Sequence, residues 1–303
     1  MCVDEIEEMT SLEIYNTVWP HDDVTIDVVH TFKESAVDYV DYLVRDGGDI
    51  VGSGVGAILG NRAHRCISLI AVLPAKRNRG AGAALYKALS AWARERGARE
   101  MEARVADGDA ESLSFARHRD FIEERRQVSR VLNLVGMSPF NVNPPDGIEI
   151  VTWALRPDLA RGMYMVDVET RTDIPGSRDV IAEPFDEWIE HFMKRRTDSP
   201  EATFIALAEG EVVGFAKLSL TAPASAGNSM TAVKRTWRGR GIAGALKETE
   251  INWALLNGYA ELRTSNEERN VPINRLNERL GYQPRETTIY LVGPLLSDAQ
   301  LQG

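Results

Sequence analysis

The segment Val72–Phe121 recurs without a gap as Val233–Tyr282. Arg77, Arg79 and Gly80 are answered by Arg238, Arg240 and Gly241, and Trp92, Ala93, Gly97 and Glu100 by Trp253, Ala254, Gly258 and Glu261, every pair 161 positions apart. That period is far longer than the roughly 20–50 residues of solenoid repeats, which bury their faces only against neighbours, and it matches a whole globular domain. A chain of 303 residues has room for about two such domains. The sequence is a tandem duplication.

The segment Met137–Gly147 is rich in Pro, Asn and Gly, lacks an apolar period and falls where the offset requires a joint. Domains at 1–138 and 148–303 with a linker at 139–147 follow. Upstream, strand-like runs at 36–45 and 49–59 flank Asp46-Gly47-Gly48, a hairpin signal, and the second copy repeats it at 202–208 and 212–220 around Glu209-Gly210-Glu211. Short strands at 66–72 and 228–233 then lead into Gly-rich turns. Leu85, Leu89 and Trp92 recur at helical spacing after the first turn, with Gly97 at the C-cap; Leu246, Trp253 and Gly258 do so after the second. A strand (100–105; 261–265), a helix (110–119; 272–280) and a terminal strand ending near Leu134 and Val292 complete each copy. Such an order gives an α+β class with a mixed, mostly antiparallel sheet flanked by helices. An opening strand at 148–153 has no full counterpart in the first copy, which starts too close to Met1.

Composition narrows the partners. A net charge of −10 argues against binding nucleic acid or an anionic membrane, both of which need a basic footprint. No apolar run approaches the ~18 residues of a membrane span, and the start Met1-Cys2-Val3-Asp4-Glu5 is unlike a secretion signal. Cys2 and Cys66 are the only cysteines, too few for a disulfide framework or a Cys-based zinc site, and the five histidines lack metal-ligand spacing. A soluble cytoplasmic protein without a metal, monomeric or homodimeric, is the expectation. Residues 1–49 hold thirteen carboxylates against Lys33 and Arg45, and residues 146–201 hold thirteen against seven basic residues. Each copy is therefore acidic at its start and basic at its Gly-rich turn, either a solvated helical surface or a cationic ligand's site followed by an anionic one's.

The turns read Arg77-Asn78-Arg79-Gly80-Ala81-Gly82-Ala83 and Arg238-Gly239-Arg240-Gly241-Ile242-Ala243. Small residues there let successive amides converge on an anion at a helix N-terminus, and flanking arginines can add charge-assisted hydrogen bonds. A diphosphate suits the arrangement. Neither turn has the Lys-Ser/Thr of a P-loop. Gly239-x-Gly241-x-x-Gly244 with Glu261 imitates a dinucleotide fingerprint, but the first copy has Leu85 in place of the last glycine, and too few strands follow for a doubly wound sheet.

A strand, an Arg-x-x-Gly-x-Gly/Ala turn, a helix, a strand and a helix closing on Asp120-Phe121 or Gly281-Tyr282 resemble the GNAT superfamily of acyl-CoA-dependent N-acyltransferases, twice over and in the manner of the bacterial tandem group that includes mycothiol synthase. The resemblance implies two GNAT-like domains and an acetyl-CoA co-substrate. Its pyrophosphate would be held by Arg77–Ala83 or Arg238–Ala243, its pantetheine arm by strands ending at Val72 and Val233, with Asn270 as a further contact. The first copy has Asp109 instead. Where many members place an acidic tyrosine this chain has Ala116 and Asn277, and neither strand before a turn carries a carboxylate base. Tyr282, Tyr290 and a water held by Glu267 or Glu268 are the remaining catalytic candidates, and Asn270 with Gly281-Tyr282 favours the second copy as the working one. An N-acetyltransferase acting on a small cationic amine or a peptide amine is the expected activity. A non-catalytic acyl-CoA sensor is the main rival, and a dinucleotide oxidoreductase a remote one.

Overall fold

The computed structural model describes residues 5–302 apart from 21, 23 and 174–181. Cys2 and part of the second acid-rich stretch therefore lie outside the described residues. The chain forms two compact units, Met1–Arg126 with Thr287–Gly303, and Gln127–Glu286.

In the first unit, α1 (Glu5–Val18) and α2 (Ile26–Glu34) precede the hairpin of β1 (Asp38–Asp46) and β2 (Asp49–Ile58). Gly47 and Gly48 at its tip have φ of 60° and 99°, the left-handed pair that a tight hairpin turn requires. Next come β3 (Arg65–Val72), α3 (Ala81–Glu95), β4 (Glu100–Ala106), α4 (Ala110–Arg117) and β5 (Ile122–Asn133). β1, β2 and β3 are antiparallel neighbours, whereas β3 and β4 run parallel. α3 lies close to the sheet because β2 offers it glycine: a Cβ on Gly54 would stand 2.9 Å from the Leu85 side chain. Leu89, Met101, Ala93 and Cys66, fully buried, form the core with Tyr86, Trp92 and Phe121.

The second unit repeats the plan. It comprises β6 (Ile148–Thr152), α5 (Ala160–Arg171), α6 (Phe185–Trp188), β7 (Asp198–Ala208), β8 (Glu211–Ala222), β9 (Ser225–Val233), α7 (Ile242–Leu256), β10 (Glu261–Glu267) and α8 (Val271–Arg279). β6 through β9 are antiparallel and β9–β10 parallel. Beneath α5 and α6, the buried Lys217 ammonium meets the Asp198 carboxylate at 2.7 Å, so the charge is matched within the core.

The terminal strands leave their own repeats. Residues 127–133 of β5 pair antiparallel with β10, from Gln127 against Glu267 to Asn133 against Glu261. β11 (Gln283–Pro294) sends residues 288–294 antiparallel along β4, from Thr288 against Ala106 to Pro294 against Glu100, and α9 (Asp298–Gln302) follows. Each unit thus takes its last strand from the other copy. Phe121 shows how tightly this is built: a Cβ on Gly293 would lie 2.4 Å from its ring.

Candidate active site

The site begins where two parallel strands part. β3 and β4 keep register for only three pairs, Arg65 with Glu100, Cys66 with Met101 and Ile67 with Glu102. Charge pins the joined end. The Arg65 guanidinium reaches Glu100 at 2.7 Å, Glu102 at 3.1 Å and Glu124 at 2.9 Å, and Arg125 reaches Glu102 at 3.0 Å. Burial raises the Glu102 pKa, but hydrogen bonds from Arg125 and Arg65 outweigh it and hold the group below the usual carboxylate range. On the opposite side of the sheet the Ser68 hydroxyl donates to the Glu102 carbonyl at 2.9 Å. Beyond these pins the strands diverge.

A cavity of about 380 Å³ fills the opening. Ser68, Ile70 and Val72 of β3 form one wall and Met101, Ala103 and Val105 of β4 the other; Tyr86 of α3, Phe115 and Ala116 of α4 and Phe121 close it beneath. Its size is that of a small-molecule site, roughly 300–1,000 Å³. One end runs onto the first Gly-rich turn, where Lys76, Arg77, Asn78 and Gly80–Ala83 line it. Asn78 and Gly80 have φ of 61° and 89°, and Gly239 and Gly241 repeat the geometry in the second unit at 76° and 89°. With left-handed residues at alternate positions, α3 starts at the cavity, where the residues of its first turn, whose amides lack intrahelical partners, form part of the lining.

One arginine of each turn is bound to its own chain. Arg77 Nε donates to the Val72 carbonyl at 3.4 Å and Arg238 Nε to the Val233 carbonyl at 3.0 Å, tying each turn to its strand. Arg77 also meets Asp109 at 3.2 Å and Glu111 at 3.3 Å, and Arg238 meets Asp173 at 2.7 Å. Asp109 caps α4 by accepting from the Ser112 amide at 3.0 Å; burial raises its pKa, but Ser112 and Arg77 hold it below the usual carboxylate range. Asn270, its counterpart, makes no side-chain cap bond at α8. Arg79 and Arg240 are exposed.

The far end of the cavity is closed by α1. Val18 and Trp19 line it, and Arg104 of β4 lies over the Trp19 ring at 4.9 Å while binding Asp22 at 2.6 Å. Tyr15 donates to the same Asp22 carboxylate. Part of the acid-rich start of the first copy is engaged with the chain's own cations: Glu8 with Lys33, Glu7 with Arg45 at 3.2 Å, Asp22 with Arg104. In the second unit Asp173 binds Arg235 and Arg238, both at 2.7 Å.

The sequence candidates disperse. Tyr282 is buried in the second unit, its phenol pKa raised by desolvation and the Glu250 charge, which makes it a poor proton donor. Tyr290, read from the sequence as part of the second copy, pairs with Arg104 in the first unit and lies under the Arg125 guanidinium at 3.9 Å. The buried Glu267 carboxylate accepts from the Arg269 amide at 2.9 Å and Nε at 2.6 Å. Glu268 is exposed. Sequence reasoning passed over Tyr86, whose hydroxyl donates to the Pro294 carbonyl at 2.7 Å, and Arg104; the only signal was their divergence from Lys247 and Ser265 at the repeat offset.

A parallel strand pair that opens onto a left-handed glycine turn, present in both repeats, can be compared with known proteins. The Acetyltransferase (GNAT) family matches residues 5–121 and 169–282. The chain belongs to this family. A GCN5-related N-acetyltransferase from Sphaerobacter thermophilus is similar over 94% of this chain and 91% of its own, at 20% identity and a TM-score of 0.76. A tandem GNAT protein from the clavulanic acid biosynthesis pathway, solved without AcCoA, covers 98% of both chains at 21% identity and a TM-score of 0.76. These likenesses establish the tandem GNAT fold. Among curated proteins none matches. No described helix is long and apolar enough to cross a membrane.

Proposed function

We propose that the chain is an acetyl-CoA-dependent N-acetyltransferase that acts on the primary amine of a small acceptor, with the cavity of the first unit as its thioester site. The observation that carries the reading is the continuity of that cavity from the parted strands to the turn at Gly80–Ala83. A long thioester arm fits between strands whose facing edges lack each other as partners, and a diphosphate fits against helix amides at the end of the arm. We favour the first unit because its wedge holds this cavity, although Asn270 and Gly281-Tyr282 had favoured the second.

The chemistry asks little of side chains. A deprotonated amine attacks the thioester carbon, the C–N bond forms, the C–S bond breaks, and the thiolate takes a proton. An unpaired N–H on the open edge of β3 near Val72 would receive the developing oxyanion. Holding the reactants together supplies up to about 7–11 kcal/mol of the barrier, so transfer proceeds without an ideal acid. A net charge of −10 draws a cationic amine towards the protein, which supports a basic acceptor.

The test is calorimetry with acetyl-CoA followed by thiol release with a panel of primary amines. Binding with release is the expected result, with the release lost when Ala103→Trp fills the first unit's cavity. Binding without release on any amine would leave an acyl-CoA sensor, and no binding would overturn the reading.

A further inference from the structure

The two wedges differ in a way the family likeness does not explain. At the repeat offset, Tyr86, Leu89, Ala116 and Phe121 of the first unit become Lys247, Glu250, Asn277 and Tyr282 of the second, while the strand register sets Asn228 where the first unit has Ser68. The four first-unit residues Tyr86, Leu89, Ala116 and Phe121 show that apolar or aromatic residues satisfy those positions of the fold. The second set is polar and buried: Lys247 and Asn277 are 0% exposed and Glu250 1%.

The cluster sits at the opening of the second wedge. β9 and β10 stay paired as far as Gly227 with Arg263, and Asn228 is the next residue. Its amide donates to both oxygens of the Glu250 carboxylate, at 2.9 and 2.7 Å. Lys247 precedes Glu250 by three positions on α7, so the two share a helix face. Lys247 Nζ lies 5.1 Å from the centre of the Tyr282 ring and has no hydrogen-bond partner among the described residues; Asn277 Oδ1 on α8 has none there either. Tyr86 and Ala116, which hold the same two positions in the first unit, both line its cavity. An ammonium buried without hydrogen bonds is costly, and an apolar replacement of similar volume is usually tolerated, so the amine is kept against stability.

We infer that Lys247 is itself an acyl acceptor: a thioester held in the second wedge transfers its acyl group to Nζ. The inference rests on the reading of the Gly-rich turns as thioester grips. The Lys247 ammonium gives one proton to the Glu250 carboxylate; the neutral nitrogen attacks the thioester carbonyl carbon, the N–C bond forms and the C–S bond breaks. The nitrogen's second proton goes to the departing thiolate. The products are Nε-acyl-lysine, free thiol and a protonated Glu250. Burial favours this direction, because it drives the Lys247 amine towards its neutral form and the Glu250 carboxyl towards its protonated form. It also removes both charges of the Lys247 and Glu250 pair from the interior.

The experiment uses the full chain and acetyl-CoA with no added amine. Intact mass should rise by one acetyl group, peptide mapping should place it at Lys247, and the surface lysines should stay at the background seen for urea-unfolded chain. Gly241→Glu, which sets a carboxylate against the second grip, should abolish the modification at Lys247 while circular dichroism shows the fold retained. Calorimetric binding with an unmodified Lys247 would overturn the inference and leave the transferase reading standing. Equal modification of Lys247 in Gly241→Glu would overturn it as solution chemistry. Absence of any binding would remove both.

Discussion

Gly80 offers a way to separate backbone geometry from bulk at the proposed thioester grip. Its φ is 89°, and a Cβ built there meets nothing within 4 Å, so a side chain fits and only the conformation resists it. Asn tolerates the left-handed region, as Asn78 does two residues earlier at φ 61°, whereas a β-branched residue resists it by about 1–2 kcal/mol or more. Asn and Val are similar in size. If the turn is the grip we propose, Gly80→Asn should therefore keep the amides of Ala81–Ala83 in place for a diphosphate, and Gly80→Val should relax towards negative φ and turn at least one away. One lost hydrogen bond to a charged group corresponds to about 1.5–3 kcal/mol, or roughly a 10- to 150-fold rise in Kd. Calorimetry with acetyl-CoA on both variants reads the difference. Comparable losses for Asn and Val would mean that bulk, not backbone direction, governs the site, and an unaffected Val variant would refute the role of the turn.

Two further perturbations address the fold around the site. Asp41, buried between Ser11 and Ser53, has its pKa raised from 3.8 to about 6 by desolvation, with the two serine hydrogen bonds opposing the rise. Because the folded value lies above the unfolded one, the protonated form's stability is complete below pH 3.8 and lost as pH rises through 6. Asp41→Asn should therefore match the parent near pH 4 and exceed it by up to about 3 kcal/mol at pH 8, measured by urea unfolding; a pH-independent difference would contradict the desolvation argument. Gly293→Ala presses a Cβ to 2.4 Å from the Phe121 ring and should cost about 1–3 kcal/mol, lowering Tm by about 2–4 °C per kcal/mol. Phe121→Leu in the same chain should restore part of the loss. An unchanged melting curve would count against β11 as the last strand of the first unit.

Features set by neighbouring residues were legible in the sequence. The hairpin tip at Gly47-Gly48, the left-handed turns at Gly80 and Gly241 and the helices with their Gly97 and Gly258 ends all follow from local backbone preference and periodicity, and duplication reinforced the signal of the turns and helices. Recognition of the family rested on those same local elements. The partners of Arg77 and Arg238 were not legible for a physical reason: a guanidinium pairs with whatever acceptor folds nearest, and here these are the carbonyls of Val72 and Val233 and the carboxylates of Asp109 and Asp173.

Three matters were decided only in three dimensions. A twelve-residue terminal strand carries no mark of which unit its second half will join, so Tyr290 passed to the first unit although its sequence lies in the second copy. The width of each wedge depends on side chains from a strand and two helices distant in the chain, which is why one cavity was framed by Tyr86 and Ala116 while the other position gathered Lys247, Glu250 and Asn277. Several carboxylates of the acidic starts, conspicuous in composition, form internal ion pairs such as Asp22 with Arg104. Chain-local chemistry specified the elements and the family; burial and long-range pairing, which no stretch of sequence encodes alone, settled where the chemistry can occur.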